Sequence, residues 1–320
     1  MTSLPWSQVP PPLFPGLLVE PEEARSILRP QKDARYGFGF ALSPYRGCAH
    51  GCRYCYVRDY PNACHGPEAW GSWVAPKLNA PELLWSQRHR LHAARVFLAS
   101  ATDPYQPLER QFRLSRQCLQ VLLLCPTTEV IVHTRSPLVL QDLDLLRAFG
   151  DRVSVGISIP TDDDRVRQVV EPHAPSIPSR WAAAERLAAA GIQVTIGAAP
   201  LLVVKDPRAF ARQARAAGAV SAWVGGLRLL KEDPFYRVLA EQGWLGCLAR
   251  GYGDDLRAAF QATFPAQRKR PVPARKSAAP RPTVIHQPSL FSGASGPVAP
   301  PADVISGLTA APALWETEYP

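Results

Sequence analysis

Short apolar segments alternate with amphipathic segments along most of this 320-residue chain, and this alternation limits the folds that it can adopt. Runs of Val, Ile and Leu predict strands, and apolar residues three or four positions apart predict helices. Helices that alternate with strands connect parallel neighbours in one sheet, so the pattern predicts an α/β protein. The six predicted strands cover residues 35–42, 95–99, 129–134, 152–159, 193–198 and 220–227.

Six strand and helix units, rather than eight, indicate an open relative of the β/α barrel, here called a partial (β/α)6 TIM-like barrel. We expect this barrel domain to span residues 35–264. Residues 1–34 are rich in proline and are expected to lie across the domain surface without forming an element of their own. Residues 59–78 are expected to be irregular, and residues 265–320 are predicted to be a disordered, Pro-rich basic tail.

The chain has a formal net charge of +9, which favours an anionic partner. It has no apolar run of about 18 residues that could span a membrane. The stretch from Met1 to Pro15 has no basic segment typical of a signal peptide, so we expect a cytoplasmic protein. In that compartment cysteines are expected to be metal ligands or buried thiols.

Three cysteines, Cys48, Cys52 and Cys55, lie within eight residues at C-x3-C-x2-C spacing. Gly47 and Gly51 beside them allow the positive φ angles that a tight loop needs. A structural zinc site normally has four protein ligands, and disulfides need paired cysteines in an oxidising compartment. An iron-sulfur cluster held by three cysteines leaves one iron open to a small molecule, and this is the leading interpretation.

Two alternatives to a three-cysteine cluster remain open. The cysteines could form a zinc site completed by His50, Cys64 or His65, or they could be unrelated to one another.

Polar side chains follow three of the predicted strands. Thr102 and Asp103 follow the second strand, Arg135 follows the third, and Ser158 lies at the end of the fourth. Ligands bind at the carboxyl ends of parallel strands in β/α folds, so these groups should meet at the mouth that the cysteine loop occupies. Such groups could hold an amino-acid moiety and a ribose. His133, on an apolar strand, is expected to be a core histidine with its hydrogen bonds satisfied.

The sequence pieces Cys-Arg-Tyr-Cys-Tyr, Ala-Thr-Asp-Pro-Tyr-Gln-Pro-Leu-Glu, His-Thr-Arg-Ser and Gly-Ile-Ser-Ile-Pro occur in this order. With the cysteine spacing, they resemble the radical S-adenosylmethionine (SAM) superfamily, and within it the spore photoproduct lyase family and its relatives associated with DNA repair. The resemblance runs from about Phe38 to Leu202. It implies a [4Fe-4S] cluster and SAM as cofactors, and a 5′-deoxyadenosyl radical that abstracts hydrogen from a substrate.

The resemblance also implies roles for individual residues. Cys48, Cys52 and Cys55 would bind the cluster, and Tyr54 would lie against the adenine of SAM. Tyr56 would lie near the radical path and is the catalytic candidate. The other implied cofactor contacts are Thr102, Asp103, Ser158 and Arg135, which replaces a lysine of the lyase.

One departure from the lyase concerns the end of its reaction. The lyase returns hydrogen from a cysteine where this chain has Ser100. A serine O–H bond is too strong for that role, so reversal of a thymine dimer by the same route is not implied here. The loop from Glu171 to Ser176, ahead of Arg180, also recurs in this branch. Two roles stay open for Arg180, which could contact the cofactor or substrate, or could open a helix with its stem packed on the barrel.

The tail carries two features that indicate partners. Its basic residues could tether nucleic acid, and its Gln287-Pro288-Ser289-Leu290-Phe291 stretch resembles the peptide that docks bacterial repair proteins on the sliding clamp. Gln287, Leu290 and Phe291 are the residues expected to contact the clamp. Without a second cysteine cluster in the sequence, an external flavodoxin or ferredoxin is the expected reductant.

Three functions follow from the sequence. The leading hypothesis is a lyase-like radical SAM enzyme that acts on DNA or another nucleic acid. The first alternative is a radical SAM enzyme acting on a peptide or small metabolite, and the second is a non-catalytic iron-sulfur or zinc protein that binds nucleic acid.

Overall fold

A computed structural model of the chain describes residues 15–264, apart from 34–35, 61–64, 66–68, 228 and 230–231. Cys64, the clamp-like peptide and the whole basic tail lie outside the described residues. The domain boundaries at residues 34 and 264 therefore stay predictions, as does the prediction for the tail.

A curved sheet of seven strands forms the centre of the molecule. Six of its strands run parallel and correspond to the six predicted from the sequence, so the predicted partial barrel is confirmed. The strands are β2 (Leu28–Pro30), β3 (Phe40–Leu42), β6 (Arg95–Leu98), β7 (Glu129–Thr134), β8 (Val153–Ser158), β9 (Gln193–Ala198) and β10 (Ser221–Val224). The strand order is β10-β9-β8-β7-β6-β3-β2, in which β2 pairs antiparallel with β3.

A second, small sheet lies beside the cysteine loop. It has the order β1-β5-β4, formed by β1 (Leu18–Val19), β4 (Tyr45–Gly47) and β5 (Trp73–Pro76). Two sequence predictions are therefore wrong. The described part of the N-terminal arm forms strands β1 and β2, and residues 59–78 are not wholly irregular because they contain β5.

Helices connect the parallel strands. They are α1 (Ala80–Ser86), α2 (Glu109–Phe112), α3 (Leu114–Leu123), α4 (Leu143–Phe149), α5 (Asp164–Val170), α6 (Ile177–Ala189), α7 (Pro207–Ala216), α8 (Pro234–Glu241) and α9 (Asp254–Thr263). The apolar spacing over residues 108–124 predicts one helix. The structure divides it into α2 and α3, because Arg113 adopts a left-handed conformation with φ of 51°. Ser176 and Asp206 cap α6 and α7 by accepting hydrogen bonds from backbone N–H groups in the first turn.

The two faces of the large sheet differ in burial. In β7, Val130 and Val132 are almost fully buried in the main core with residues of the helices. The alternate residues Glu129, Ile131 and His133 are only partly buried. Because side chains alternate across a strand, the second set lines the concave inner face. Within the described ranges, none of the helices combines the length and the apolar character that a membrane crossing requires.

Candidate metal and cofactor site

The cysteine loop leaves β4 through a tight turn that only glycine fits. Gly47 has φ of +76°, and a Cβ there would lie 2.6 Å from the carbonyl oxygen of Trp73 in β5. Gly51 has φ of +59°, and its Cβ would lie 3.2 Å from the Cα atom of Gly71. The small sheet therefore holds the loop closely against its own backbone, and both glycines have the positive φ that the sequence predicted.

The three cysteines of this loop lie in low-dielectric surroundings. Cys48 and Cys52 are buried, and Cys55 is partly buried. Burial raises the pKa of each thiol to about 12, and the charge of Asp103 contributes at Cys48. Buried thiolates need a compensating positive charge, which a metal centre supplies.

As they stand, no three His, Cys, Asp or Glu side chains within the described ranges form a group with metal-binding geometry. The chemistry of the donors nevertheless fits an iron-sulfur cluster, whose ligands are cysteine thiolates. Gly47 and Gly51 also add no side chain to the loop that carries these thiols.

Asp103 links the cysteine loop to the end of β7. Its Oδ1 atom accepts hydrogen bonds from Tyr105 N at 2.9 Å and Thr134 Oγ1 at 2.5 Å. Its Oδ2 atom accepts from Arg135 N at 2.9 Å and lies 3.5 Å from His50 Nε2. Although burial opposes ionisation, the hydrogen bond and charge of His50 hold the pKa of Asp103 below its ordinary value, with help from Arg135 and Thr134.

The turn after β6 braces the same loop. Thr102 Oγ1 donates to the carbonyl oxygen of Gly47 at 2.6 Å and accepts from Gln106 Nε2 at 3.2 Å. Gln106 Oε1 in turn accepts from Ala49 N at 2.9 Å. Gln106 was not predicted as a site residue, although it lies in the Thr-Asp-Pro-Tyr-Gln stretch that the sequence singled out.

Arg135 reaches from β7 to the cysteine loop. Its Nη1 atom lies 3.1 Å from Cys52 Sγ and 2.7 Å from the Tyr54 hydroxyl, and it also donates to Glu171. Tyr54 donates its hydroxyl hydrogen to Glu171, which also accepts from Arg180. Glu171 and the three polar side chains around it therefore form one connected cluster against Cys52.

Arg180 lies within α6 and is fully buried. Its remaining donors bind the carbonyl oxygens of Pro175 and Ser158, each at 3.0 Å. Burial opposes ionisation of Glu171, but the charges of Arg180 and Arg135 lower its pKa to about 2. Of the two roles left open for Arg180, packing within the barrel agrees with its buried position in α6. The sequence did not predict that Glu171 would be its partner.

Ser158 and Tyr56 differ from the engaged residues above. The Ser158 hydroxyl is buried and has no hydrogen-bond partner among the described residues. Tyr56 is 59% exposed, and its hydroxyl donates to the carbonyl oxygen of Ser100 at 2.9 Å. The structure thus brings the catalytic candidate next to the serine that departs from the lyase.

Below the mouth, three aromatic rings line the concave face. The ring centroids of Phe97 and His133 are 6.1 Å apart, and those of His133 and Trp223 are 5.8 Å apart. His133 and Trp223 lie on β7 and β10 with two strands between them, so contact requires a strongly curved sheet. Gly156 and Gly197 on the intervening strands leave the space, because a Cβ at either position would crowd the His133 ring.

His133 does not behave as the sequence predicted. Its Nε2 atom is buried with no hydrogen-bond partner among the described residues, so the expectation of a satisfied core histidine is wrong. Burial, with the charge of Arg135, lowers its pKa to about 4, so the ring is neutral at pH 7. Trp223, which completes the wall and is 45% exposed, was not predicted, because a single tryptophan on an apolar strand gives no functional signal.

Comparisons with solved structures identify the fold. The chain is similar to a spore photoproduct lyase variant with bound AdoMet and dinucleoside spore photoproduct, with a TM-score of 0.59 and 17% identity. The alignment covers 77% of this chain and 80% of that one. A second lyase variant gives a TM-score of 0.58 at 16% identity over the same shares of both chains. At this identity the likeness establishes the shared fold.

Proteins from several organisms are similar to this chain in sequence. The uncharacterized protein MJ0683 of Methanocaldococcus jannaschii is 31% identical over 157 residues, which cover 49% of this chain and 58% of that protein. The chain thus spans little more than half the length of that relative. The uncharacterized protein Rv2578c of Mycobacterium tuberculosis is 29% identical over 255 residues, or 75% of this chain and 72% of that protein.

The family model that matches is that of the radical SAM superfamily, and it covers residues 42–217. This range is more than half of the 320-residue chain and includes the cysteine loop with strands β6 to β9. The chain therefore belongs to the radical SAM superfamily, whose cofactors are a [4Fe-4S] cluster and SAM.

Proposed function

We propose that this radical SAM enzyme acts on nucleic acid, in a lyase-like repair or modification of a damaged or altered base. The observation that carries the proposal is the inner wall of Phe97, His133 and Trp223. His133 lies two residues before Arg135, which contacts Cys52 of the cysteine loop. Bases stack on aromatic side chains irrespective of sequence. A target base would have to leave its stack to reach such a wall.

Two further observations support a nucleic-acid substrate. The net charge of +9 favours a polyanion. The fold also resembles that of a lyase whose structure contains a dinucleoside photoproduct.

The chemistry that a bound cluster and SAM would supply is one-electron reductive cleavage of the SAM sulfonium. This cleavage would yield methionine and a 5′-deoxyadenosyl radical able to abstract hydrogen. We assign Cys48, Cys52 and Cys55 as the cluster ligands, and the burial of Cys48 and Cys52 keeps water from their sulfurs. Ser158 is the best supported polar contact for SAM, because its hydroxyl is buried and has no partner among the described residues.

The other assigned cofactor residues have protein partners already. Thr102 and Asp103 fix the turn that braces the cysteine loop, so their contribution to SAM binding includes the shape of the site. Tyr54 is assigned to the adenine and Arg135 to the cofactor end near Cys52. Tyr56 is assigned to the radical path, where its hydroxyl binds the Ser100 carbonyl.

Partners and location belong to the same proposal. We assign an external flavodoxin or ferredoxin as the reductant, and the sliding clamp as the partner of Gln287, Leu290 and Phe291. A cytoplasmic location is supported by the six described cysteines, all of which are free thiols.

The first test is anaerobic reconstitution with iron and sulfide, followed by dithionite and SAM. We expect 5′-deoxyadenosine from the native chain and none from a Cys52→Ser variant. Formation of no 5′-deoxyadenosine by the native chain would contradict the proposed activity and favour a non-catalytic protein.

The substrate is tested by isotope transfer. Deuterated oligonucleotides that carry defined base lesions are incubated with the reconstituted chain, and 5′-deoxyadenosine is analysed by mass spectrometry. We expect deuterium from at least one lesion class. If deuterated peptides transfer label and no oligonucleotide does, the nucleic-acid assignment is wrong.

A further inference from the structure

The guanidinium of Arg135 is directed at a proposed cluster ligand. Its Nη1 atom lies 3.1 Å from Cys52 Sγ, and its side chain is only 18% exposed. The same nitrogen contacts the Tyr54 hydroxyl and the Glu171 carboxylate. A positively charged N–H donor is thus held against the sulfur in a site with little access to water.

Glu171 accounts for the position of this guanidinium. Its carboxylate is fully buried and joins Arg135 on one side to Arg180 on the other. Arg180 is also fully buried, and its other donors bind the carbonyl oxygens of Pro175 and Ser158. Because two backbone carbonyl oxygens fix Arg180, its ion pair fixes Glu171 as well, and Glu171 holds Arg135 on the cysteine loop.

Hydrogen bonds and positive charge at cluster sulfurs change the reduction potential of the cluster. Reduction adds one electron from an external donor, with no bond made or broken in the protein. A positive charge and an N–H donor at Cys52 Sγ stabilise the product of that step more than the reactant, since the product carries more negative charge.

We propose that Arg135 raises the reduction potential of the cluster through its contact with Cys52, and that Glu171, anchored by Arg180, is the positioning residue that keeps Arg135 there. This inference goes beyond the proposed function, because reduction of the cluster requires neither a nucleic acid nor SAM. It also gives Arg135 a role on a sulfur ligand that is separate from contact with SAM.

The test is a potentiometric titration of the reconstituted full-length chain without SAM, followed by EPR of the reduced cluster. Iron and sulfide content is measured for every sample so that only fully loaded protein is compared. We expect Arg135→Gln to shift the midpoint potential to a more negative value. Arg135→Lys should shift it in the same direction by less, because an ammonium keeps the charge but cannot reproduce the planar fork.

Glu171→Gln separates positioning from simple electrostatics. Removal of a negative charge alone would make the midpoint potential more positive. Release of Arg135 from Cys52 would make it more negative, and this is the result that the proposal expects. A more positive or unchanged potential in Glu171→Gln would refute the positioning role.

Arg116→Gln is the matched control. Arg116 lies in α3 and pairs with the buried Asp142 and with Asp144. Its loss removes a similar ion pair, so an unchanged potential in this variant excludes a general effect of destabilisation. An unchanged potential in both Arg135 variants would overturn the proposal. If Arg135→Gln assembles no cluster, the Arg135→Lys shift decides.

The failure of this inference is distinct from failure of the proposed function. A chain whose potential responds as expected but which transfers no deuterium from oligonucleotides would keep the inference and lose the substrate. A chain that transfers deuterium but shows no shift in its variants would keep the substrate and lose the inference.

Discussion

Gly47 enters the cysteine loop with a positive φ and with no room for a side chain. Its φ is +76°, and an added Cβ would lie 2.6 Å from the Trp73 carbonyl oxygen. Backbone atoms on β5 cannot move aside without breaking the small sheet. We expect Gly47→Ala to lower the free energy of unfolding by about 2–3 kcal/mol and to reduce the iron bound after reconstitution.

Gly191→Ala provides the control for that substitution. Gly191 has a similar φ of +83°, but no atom lies within 4 Å of its added Cβ. Only the conformational cost of about 1 kcal/mol should appear, and iron content should match the native chain. Equal losses in the two variants, measured by denaturant unfolding, would show that the contact with Trp73 is unimportant.

The raised pKa of Glu109 predicts how the free energy of unfolding depends on pH. Its carboxylate is buried and accepts hydrogen bonds from the Tyr45 hydroxyl and from Arg116 N. Burial raises its pKa from 4.5 to about 8, because it outweighs the hydrogen bond from Tyr45. Between those values the folded chain retains a proton that the unfolded chain releases, so this contribution to stability is complete below pH 4.5 and is lost as pH rises towards 8.

Glu109→Gln removes the titrating group. The variant should lose stability at low pH, because an amide cannot accept from both partners in the same way. The fall in free energy of unfolding between about pH 5.5 and pH 7.5 should shrink by about 2 kcal/mol relative to the native chain. Glu241→Gln, on the exposed surface of α8, should leave the fall unchanged. An equal pH dependence in native and Glu109→Gln chains would contradict the shift.

At the scale of elements, the curved sheet brings together residues from distant strands. Trp223 on the end strand β10 meets His133 on β7 because Gly156 and Gly197 leave space between them. Trp223→Leu should weaken binding of single-stranded oligonucleotides by about 5-fold to 160-fold, since base stacking contributes about 1–3 kcal/mol. Fluorescence anisotropy with labelled oligonucleotides measures the change.

Trp85→Leu is the matched control for that wall. Trp85 lies in α1 and is covered by the guanidinium of Arg88, 4.1 Å from its ring centroid. Its loss removes the same side chain from a surface outside the barrel. Comparable weakening in the two variants would indicate that oligonucleotides do not use the inner wall.

The sequence indicates some of these elements much better than others. Strands such as β7 and β9 are six residues long and rich in Val and Ile, so the pattern of apolar residues locates them. Strand β1 has only two residues, and β5 has four and ends in Pro76, so neither shows a detectable alternation of apolar and polar residues. The pairing of β1 with β5 depends on the fold. Arg113 divides a predicted helix although neither Gly nor Pro marks the break.

The sequence likewise predicts one part of the candidate site and not the rest. Cysteine spacing and the polar residues at strand ends predict which loops share the mouth, because parallel strands all end at one edge. The link from Arg135 through Glu171 to Arg180 depends on how side chains meet within the fold. The Nε2 atom of His133 has no hydrogen-bond partner in the described part of the chain, and its surroundings likewise depend on glycines of two other strands.

At the scale of the whole molecule, positive charge is divided between the barrel and the tail. Helix α7 exposes three arginines, Arg208, Arg212 and Arg215, on the outer surface. The tail sequence carries Arg268, Lys269 and Arg270 shortly after the last described residue. The two groups have equal charge, so replacing either by three glutamines changes the net charge identically and allows a direct comparison.

The tail variant tests whether nucleic acid is held outside the barrel. Each phosphate contact adds about 0.7 to the slope of log affinity against log salt concentration for single strands, because binding releases condensed counterions. Replacing Arg268, Lys269 and Arg270 by Gln in the full-length chain should lower that slope by about 2, with anisotropy titrations at several salt concentrations as the measurement. The α7 variant should keep the native slope, since its arginines lie on the outside of the helical layer. If both variants lose the same amount, the long-range field of the whole protein attracts the nucleic acid, and the tail has no specific part in holding it.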